Sequence, residues 1–246
     1  MRRRSTISPD MVQAYEPSGH LNTENRRLLR TDQVEIILAK MAQGGAAQGH
    51  IHKTTDQIVF TLGRTASGMK DDRLEETGPD TLLHYIPAGT FHGGAVPLNR
   101  TDKTLSLLVI YAPPLDPSDI FPAEDDGSGN SGHRISFDQA AAYQTILKAG
   151  TEVRRLLRTK TLEINLNQVA NGGAIEEHTH ALNDQILYVI HGVGSFVIDQ
   201  EPIEIEPGML AFIPRGAPHG GKAPTSRMDS ILKYLVIYTP ALGASP

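Results

Sequence analysis

His178-Thr179-His180-Ala181-Leu182-Asn183-Asp184-Gln185-Ile186 is the stretch whose reading decides the fold. Its pattern already stands 128 residues earlier, as His50-Ile51-His52-Lys53-Thr54-Thr55-Asp56-Gln57-Ile58. Outward from this pair the chain keeps matching itself. Glu35-Ile36-Ile37-Leu38 returns as Glu163-Ile164-Asn165-Leu166, and Gly44-Gly45-Ala46 as Gly172-Gly173-Ala174, both at the same offset. Pro87-Ala88-Gly89-Thr90-Phe91-His92 returns as Pro214-Arg215-Gly216-Ala217-Pro218-His219, and Leu108-Val109-Ile110-Tyr111 as Leu235-Val236-Ile237-Tyr238, at an offset of 127. A near-constant offset over many blocks marks an internal repeat of one folded module. The second copy is one residue shorter between Ile186 and Pro214.

This reading divides the chain into residues 1–30, an unrepeated polar arm; 31–113, a first module; 114–158, a linker; and 159–242, a second module. Within each module short apolar runs alternate with Gly and Pro, which predicts strands rather than helices. Ile58-Val59-Phe60-Thr61-Leu62, Ile186-Leu187-Tyr188-Val189-Ile190, Ser195-Phe196-Val197-Ile198, Ile203-Glu204-Ile205 and Met209-Leu210-Ala211-Phe212-Ile213 are the clearest. In the linker, Glu124 to Gly132 is polar and glycine-rich and reads as a mobile tether. Ser136 and Gln139 then form a capping-box pattern, which predicts a helix from Phe137 to Ala149 closed by Gly150. Arg154, Arg155 and Arg158 read as a solvated basic face.

Composition narrows the function classes. The 246 residues contain no cysteine, so disulfide scaffolds, zinc-thiolate sites and a cysteine nucleophile are excluded. A net charge of −5 does not favour nucleic acid or an acidic membrane as partner. No apolar run reaches the ~18 residues of a membrane span. Met1-Arg2-Arg3-Arg4 is not followed by an apolar segment, so a cytoplasmic location is expected.

The chemistry lies in the repeated histidines. Residues i and i+2 of a strand share a face, so His50 with His52, and His178 with His180, can turn two imidazoles toward one point. His92 and His219 arrive from a separate strand, and Gln57 and Gln185 follow each His-x-His pair. Imidazole suits first-row divalent ions. Asp56 and Asp184 are alternatives to the glutamines as fourth ligand. The isolated His20, His84, His133 and His191 read as structural or exposed, and Tyr111 and Tyr238 as wall residues. Glu176 stands two residues before His178 and would share its face if the strand continues, making it the candidate general base; its counterpart is Gln48, which cannot take a proton.

These motifs resemble those of the cupin superfamily, G-x5-H-x-H-x3,4-E-x6-G and G-x5-P-x-G-x2-H-x3-N. Gly172, His178, His180, Gln185 and Gly192 follow the first, and Gly208, Pro214, Gly216 and His219 the second. The first module matches at Gly44, His50, His52, Gln57, Pro87, Gly89 and His92. Glutamine stands where the family usually has glutamate, Gly63 comes one residue early, Thr81 replaces a glycine, and Val96 and Ala223 replace the final asparagine. The resemblance implies an all-β protein of two tandem cupin-type jelly-roll β-barrels joined by a linker with a short helix, a bicupin. It implies one divalent metal per domain, on His50, His52, Gln57 and His92, and on His178, His180, Gln185 and His219. Iron is the first expectation, with Mn, Co, Ni or Zn as alternatives.

Three functions follow from the resemblance. The first is a dioxygenase acting on a small oxygen-rich or phenolic substrate. The second is a redox-neutral isomerase or cyclase in which Glu176 moves a proton. The third is a non-catalytic metal-dependent binding protein. A homodimer is compatible with each.

Overall fold

A computed structural model describes residues 6–62, 66–70, 73–77, 82–96, 104–124, 132–137, 140–143, 148–223 and 231–243. The described chain is all-β apart from short 3₁₀ turns. It divides into two compact units, one of residues 12–136 and one of residues 1–11 together with 137–246.

In the first unit the strands run in the order His133–Ser136, Leu82–Ile86, Asp56–Leu62, Thr104–Ala112, Glu35–His52, His20–Arg30, Ala14–Tyr15. His92–Ala95 and Ile120–Pro122 also pair with the far half of Glu35–His52. The second unit repeats the pattern. Its order is Thr6–Ile7, Leu210–Ile213, Asp184–His191, Leu232–Thr239, Glu163–His178, His219–Lys222, Gly194–Ile198, Glu201–Ile205, with Lys148–Arg158 along Glu163–His178 and Ala142–Tyr143 along Lys148–Arg158. These pairings are antiparallel, as short connections allow.

The central strands are apolar on both faces. Ile36, Ile58, Phe60, Leu108 and Ile110 are fully buried in the first unit, and Ile164, Leu166, Ile186 and Leu235 in the second. The alternate residues of the second unit form a second core, which includes Leu187, Val189, Phe196, Tyr234 and Val236. Burial on two sides explains why these strands read as continuous Val/Ile/Leu runs.

Four expectations are corrected. Residues 12–30 are not an arm: His20–Arg30 pairs along Glu35–His52, with Arg26 opposite Leu38. Residues 148–158 are not linker: they make the same strand in the second unit, with Arg154 opposite Leu166. The repeat therefore reaches further back than Thr31 and Thr159. Thr23-Glu24 and Arg26-Arg27-Leu28-Leu29-Arg30 return as Thr151-Glu152 and Arg154-Arg155-Leu156-Leu157-Arg158, and Ala14-Tyr15 as Ala142-Tyr143, all at 128.

Among the described residues the helix expected from 137 to 149 is not seen. Ala142 and Tyr143 pair as a strand with Arg154 and Val153, and Lys148 and Ala149 already belong to the next strand. Residues 138–139 and 144–147 lie outside the described residues, as do residues 125–131 of the glycine-rich tether. Gly150, expected as a helix stop, adopts φ +62° where the strand register shifts between Ala149 and Thr151. Its left-handed conformation serves a bulge instead.

The arginines are not merely solvated. Arg155 and Arg158 pair with the fully buried Glu163, at 3.2 and 3.4 Å. Arg27 and Arg30 do the same with Glu35. Arg154 donates to the carbonyls of Phe137 and Ala140.

Candidate metal centre

In each unit three histidines converge. One ring nitrogen from each of His50, His52 and His92 lies within 4.8 Å of the others, and the same holds for His178, His180 and His219. Glu35–His52 and Glu163–His178 carry the first histidines of the pairs. The third comes from the neighbouring strand, with His92 directly opposite His50 and His219 opposite His178.

Backbone carbonyls orient the rings. His50 Nδ1 donates to the Gln48 carbonyl at 2.6 Å and His92 Nδ1 to the Thr90 carbonyl at 2.9 Å. His178 Nδ1 donates to Glu176 O at 2.7 Å and His219 Nδ1 to Ala217 O at 2.9 Å. A carbonyl only accepts, so these Nδ1 atoms carry the proton and leave the Nε2 lone pairs free. His92 Nε2 and His180 Nε2 are buried without a hydrogen-bond partner. Burial holds His52 down to about 4 and His92 to about 3, and it holds His180 and His219 to about 4. Those four rings are therefore neutral at pH 7, the form that binds metal.

The glutamines complete each cluster. Gln57 contacts His52 and Gln185 contacts His180. Gln185 Oε1 lies 3.1 Å from His219 Nε2. With His219 protonated on Nδ1, that is a meeting of two acceptors. Inward lone pairs of this kind repel one another unless a cation lies among them. This donor set fits a first-row divalent ion.

The aspartates are otherwise engaged. Asp56 accepts from Tyr85 Oη at 3.1 Å and from Ala88 N at 2.9 Å. Asp184 accepts from Arg215 N at 2.8 Å and pairs with its guanidinium. Both pin the Pro-x-Gly turn that delivers the third histidine. Tyr111 and Tyr238 set ring edges against His52 and His180, with centroids 5.7 and 5.2 Å apart.

Glu176 is not placed as expected. It is exposed, because the register shifts between Ile175 and His178 and one extra residue breaks the alternation that would have turned it inward. The first unit has the same irregularity between Ala47 and His50. Gly220 is required there: a Cβ would lie 2.9 Å from the Ile175 carbonyl and 3.1 Å from Glu177.

Residues passed over in the sequence surround the first site. Ile120–Pro122 pairs directly with His50–His52. Asp119, buried, accepts from the amides of Lys53 and Thr54 and so fixes the turn after His52. His20 stands with its ring centroid 6.3 Å from that of His50. A cavity of about 230 Å³ opens beside His50, His92 and Gln57, and His20 and His84 line it, contrary to their reading as structural or exposed. At the position of His20 the second unit has Lys148, opposite the core residue Ile175. The shared offset of 128 would have linked the two.

Residues 166–238 match the family model of the cupin domain. No curated protein matches the chain by sequence. By structure the chain is similar to the protein Ylba from E. coli, with a TM-score of 0.70 at 11% identity over 95% of this chain and 89% of that one. It is similar to an oxalate decarboxylase of Lactobacillus farciminis in complex with formate, with a TM-score of 0.68 at 12% identity over 98% and 87%. It is also similar to AerE from Microcystis aeruginosa, with a TM-score of 0.67 at 16% identity over 95% and 98%. These likenesses establish a cupin-like fold, and with the domain match they support the cupin resemblance. Among the described residues no helix is long and apolar enough to cross a membrane.

Proposed function

We propose that the chain is a bicupin: two tandem cupin-type jelly-roll barrels, each holding one divalent ion on three histidines and a glutamine. In this reading it is a metal-dependent enzyme of small-molecule metabolism, a dioxygenase acting on an oxygen-rich or phenolic compound. The observation that carries it is the pair of converging three-imidazole clusters, one of them opening on a cavity.

A bound first-row ion supplies Lewis acidity and, when it is iron, access to one-electron chemistry with O₂. The protein's own groups set the conditions. A glutamine in place of a carboxylate leaves the full charge of the ion available to a substrate oxygen. The carbonyls of Gln48, Thr90, Glu176 and Ala217 hold the rings in one tautomer and one direction. A mainly apolar cavity lies beside His50 and His92. The redox-neutral reading relied on Glu176 as base, and its exposure removes that support.

Elemental analysis tests this on protein purified without oxygen. About two metals per chain are expected in the wild type, falling to about one in His52→Ala and in His180→Ala. Mainly iron leads to oxygen-uptake assays with phenolic and enol compounds. Mainly zinc, nickel or cobalt would favour a redox-neutral reaction. Metal that is negligible and not restored by added ions would overturn the reading.

A further inference from the structure

The two units differ in what fills the space beneath their histidines. In the first, Thr61, Leu107, Ala39 and Asn25 lie side by side across four strands, Leu107 being opposite both Thr61 and Ala39, and Ala39 opposite Asn25. All four line the cavity. In the second, the matching row is Val189, Tyr234, Asn167 and Val153, in the same register. There the Tyr234 ring fills the row, buried edge-on to Phe196 with centroids 5.9 Å apart. Its hydroxyl accepts from Asn167 Nδ2 at 3.2 Å.

The first unit lacks that ring and keeps an asparagine on the adjoining strand. Asn25 is only 9% exposed, and its Oδ1 has no hydrogen-bond partner. A buried amide oxygen without a donor is costly unless something supplies one. The row lies four residues along the strand from Gln57, about 13 Å of strand at ~3.3 Å per residue. Between them stand Val59, Val109 and Ile37, with His84 and Arg134 continuing that layer as its polar flank. At about 230 Å³ the cavity is below the ~300 Å³ at which drug-sized sites begin.

We infer that the first unit binds a small phenol. Its hydroxylated ring takes the place that Tyr234 fills in the second unit, and its hydroxyl donates to Asn25 Oδ1. An oxygen-bearing end faces His50, His92 and Gln57. The second unit, whose row is closed by its own tyrosine, does not take this ligand. The inference rests on the metal-site reading for the oxygen-bearing end alone; the ring pocket stands on the cavity and Asn25.

Calorimetric titration of the zinc-loaded full chain tests it, with 3-(4-hydroxyphenyl)propanoate and 3-phenylpropanoate as probes. The hydroxylated probe is expected to bind about ten-fold more tightly, as one buried hydrogen bond allows. Asn25→Val, which installs the second unit's residue, is expected to erase the preference. Leu107→Tyr, which installs its ring, is expected to abolish binding of both probes without loss of metal. Equal binding of the probes to the wild type, a preference that survives Asn25→Val, or undiminished binding by Leu107→Tyr would overturn the inference. The wild-type comparison is decisive even if a variant fails to fold. Zinc content is read on the same samples. If no zinc is held, the metal-site reading fails, and the pocket is then judged on p-cresol against toluene with the metal-free chain.

Discussion

Lys148 and His20 occupy one position in the two units, and the difference sets the charge beside each histidine cluster. Lys148 is largely buried opposite Ile175, and that burial holds its pKa down to about 8. Its charge acts on His180 and His219. In the unfolded chain a lysine titrates near ~10.4, so between about pH 8 and 10 the unfolded state binds more protons and stability rises with pH. Below pH 8 the whole cost of the buried charge is present. Lys148→Met in metal-free protein is therefore expected to stabilise at pH 7 by up to about 3 kcal/mol, the gain shrinking toward pH 10. Urea midpoints at the two pH values measure this, and an equal gain at both would contradict it. At this scale the histidines were legible, because i and i+2 on a strand need no knowledge of what surrounds them. Glu176 was misjudged because an extra residue before His178 changes which face it occupies, and hydrophobic patterning does not display a bulge. Asn25 was passed over, and His20 was read as structural or exposed, because both lay outside the boundary drawn for the repeat.

At the scale of the element, His20–Arg30 and Lys148–Arg158 are edge-lying strands tied down by charge. Glu163 is fully buried, whereas Arg155 and Arg158 are about half exposed at 49% and 42%. Removing the arginines leaves a buried carboxylate with the Asn165 amide but no counter-charge, while neutralising the carboxylate leaves arginines that water can still reach. The double variant Arg155→Ala with Arg158→Ala is thus expected to cost about 3 kcal/mol, more than Glu163→Gln. Denaturant unfolding of the two ranks them, and the reverse order would refute the account. The interior strands were legible from their continuous apolar runs. These two were not, since Arg-Arg-Leu-Leu-Arg places only two apolar residues among charges, and what holds it is pairing with Glu35 or Glu163 on the following strand. The expected helix failed for a related reason: local capping signals at Ser136 and Gly150 lost to strand pairing with residues 153 and 154.

At the scale of the molecule, the 128-residue repeat revealed two like units before any coordinates, but not where each begins. The second unit recruits Thr6 and Ile7, which pair with Ala211 and Leu210. Deleting residues 1–11 uncovers that edge and removes backbone bonds worth about 1 kcal/mol each. Faster amide exchange over Leu210–Ile213 is expected, together with a greater tendency to self-associate through the open strand. Unchanged exchange would show that the pairing contributes nothing. The arrangement also imposes an order on biosynthesis. Thr6 and Ile7 leave the ribosome about two hundred residues before their partners, and at ~5–20 residues per second they wait roughly 10–40 s with the seat not yet made. The first unit can fold in that interval, whereas the second can close only after its last strand, Leu232–Thr239, has emerged.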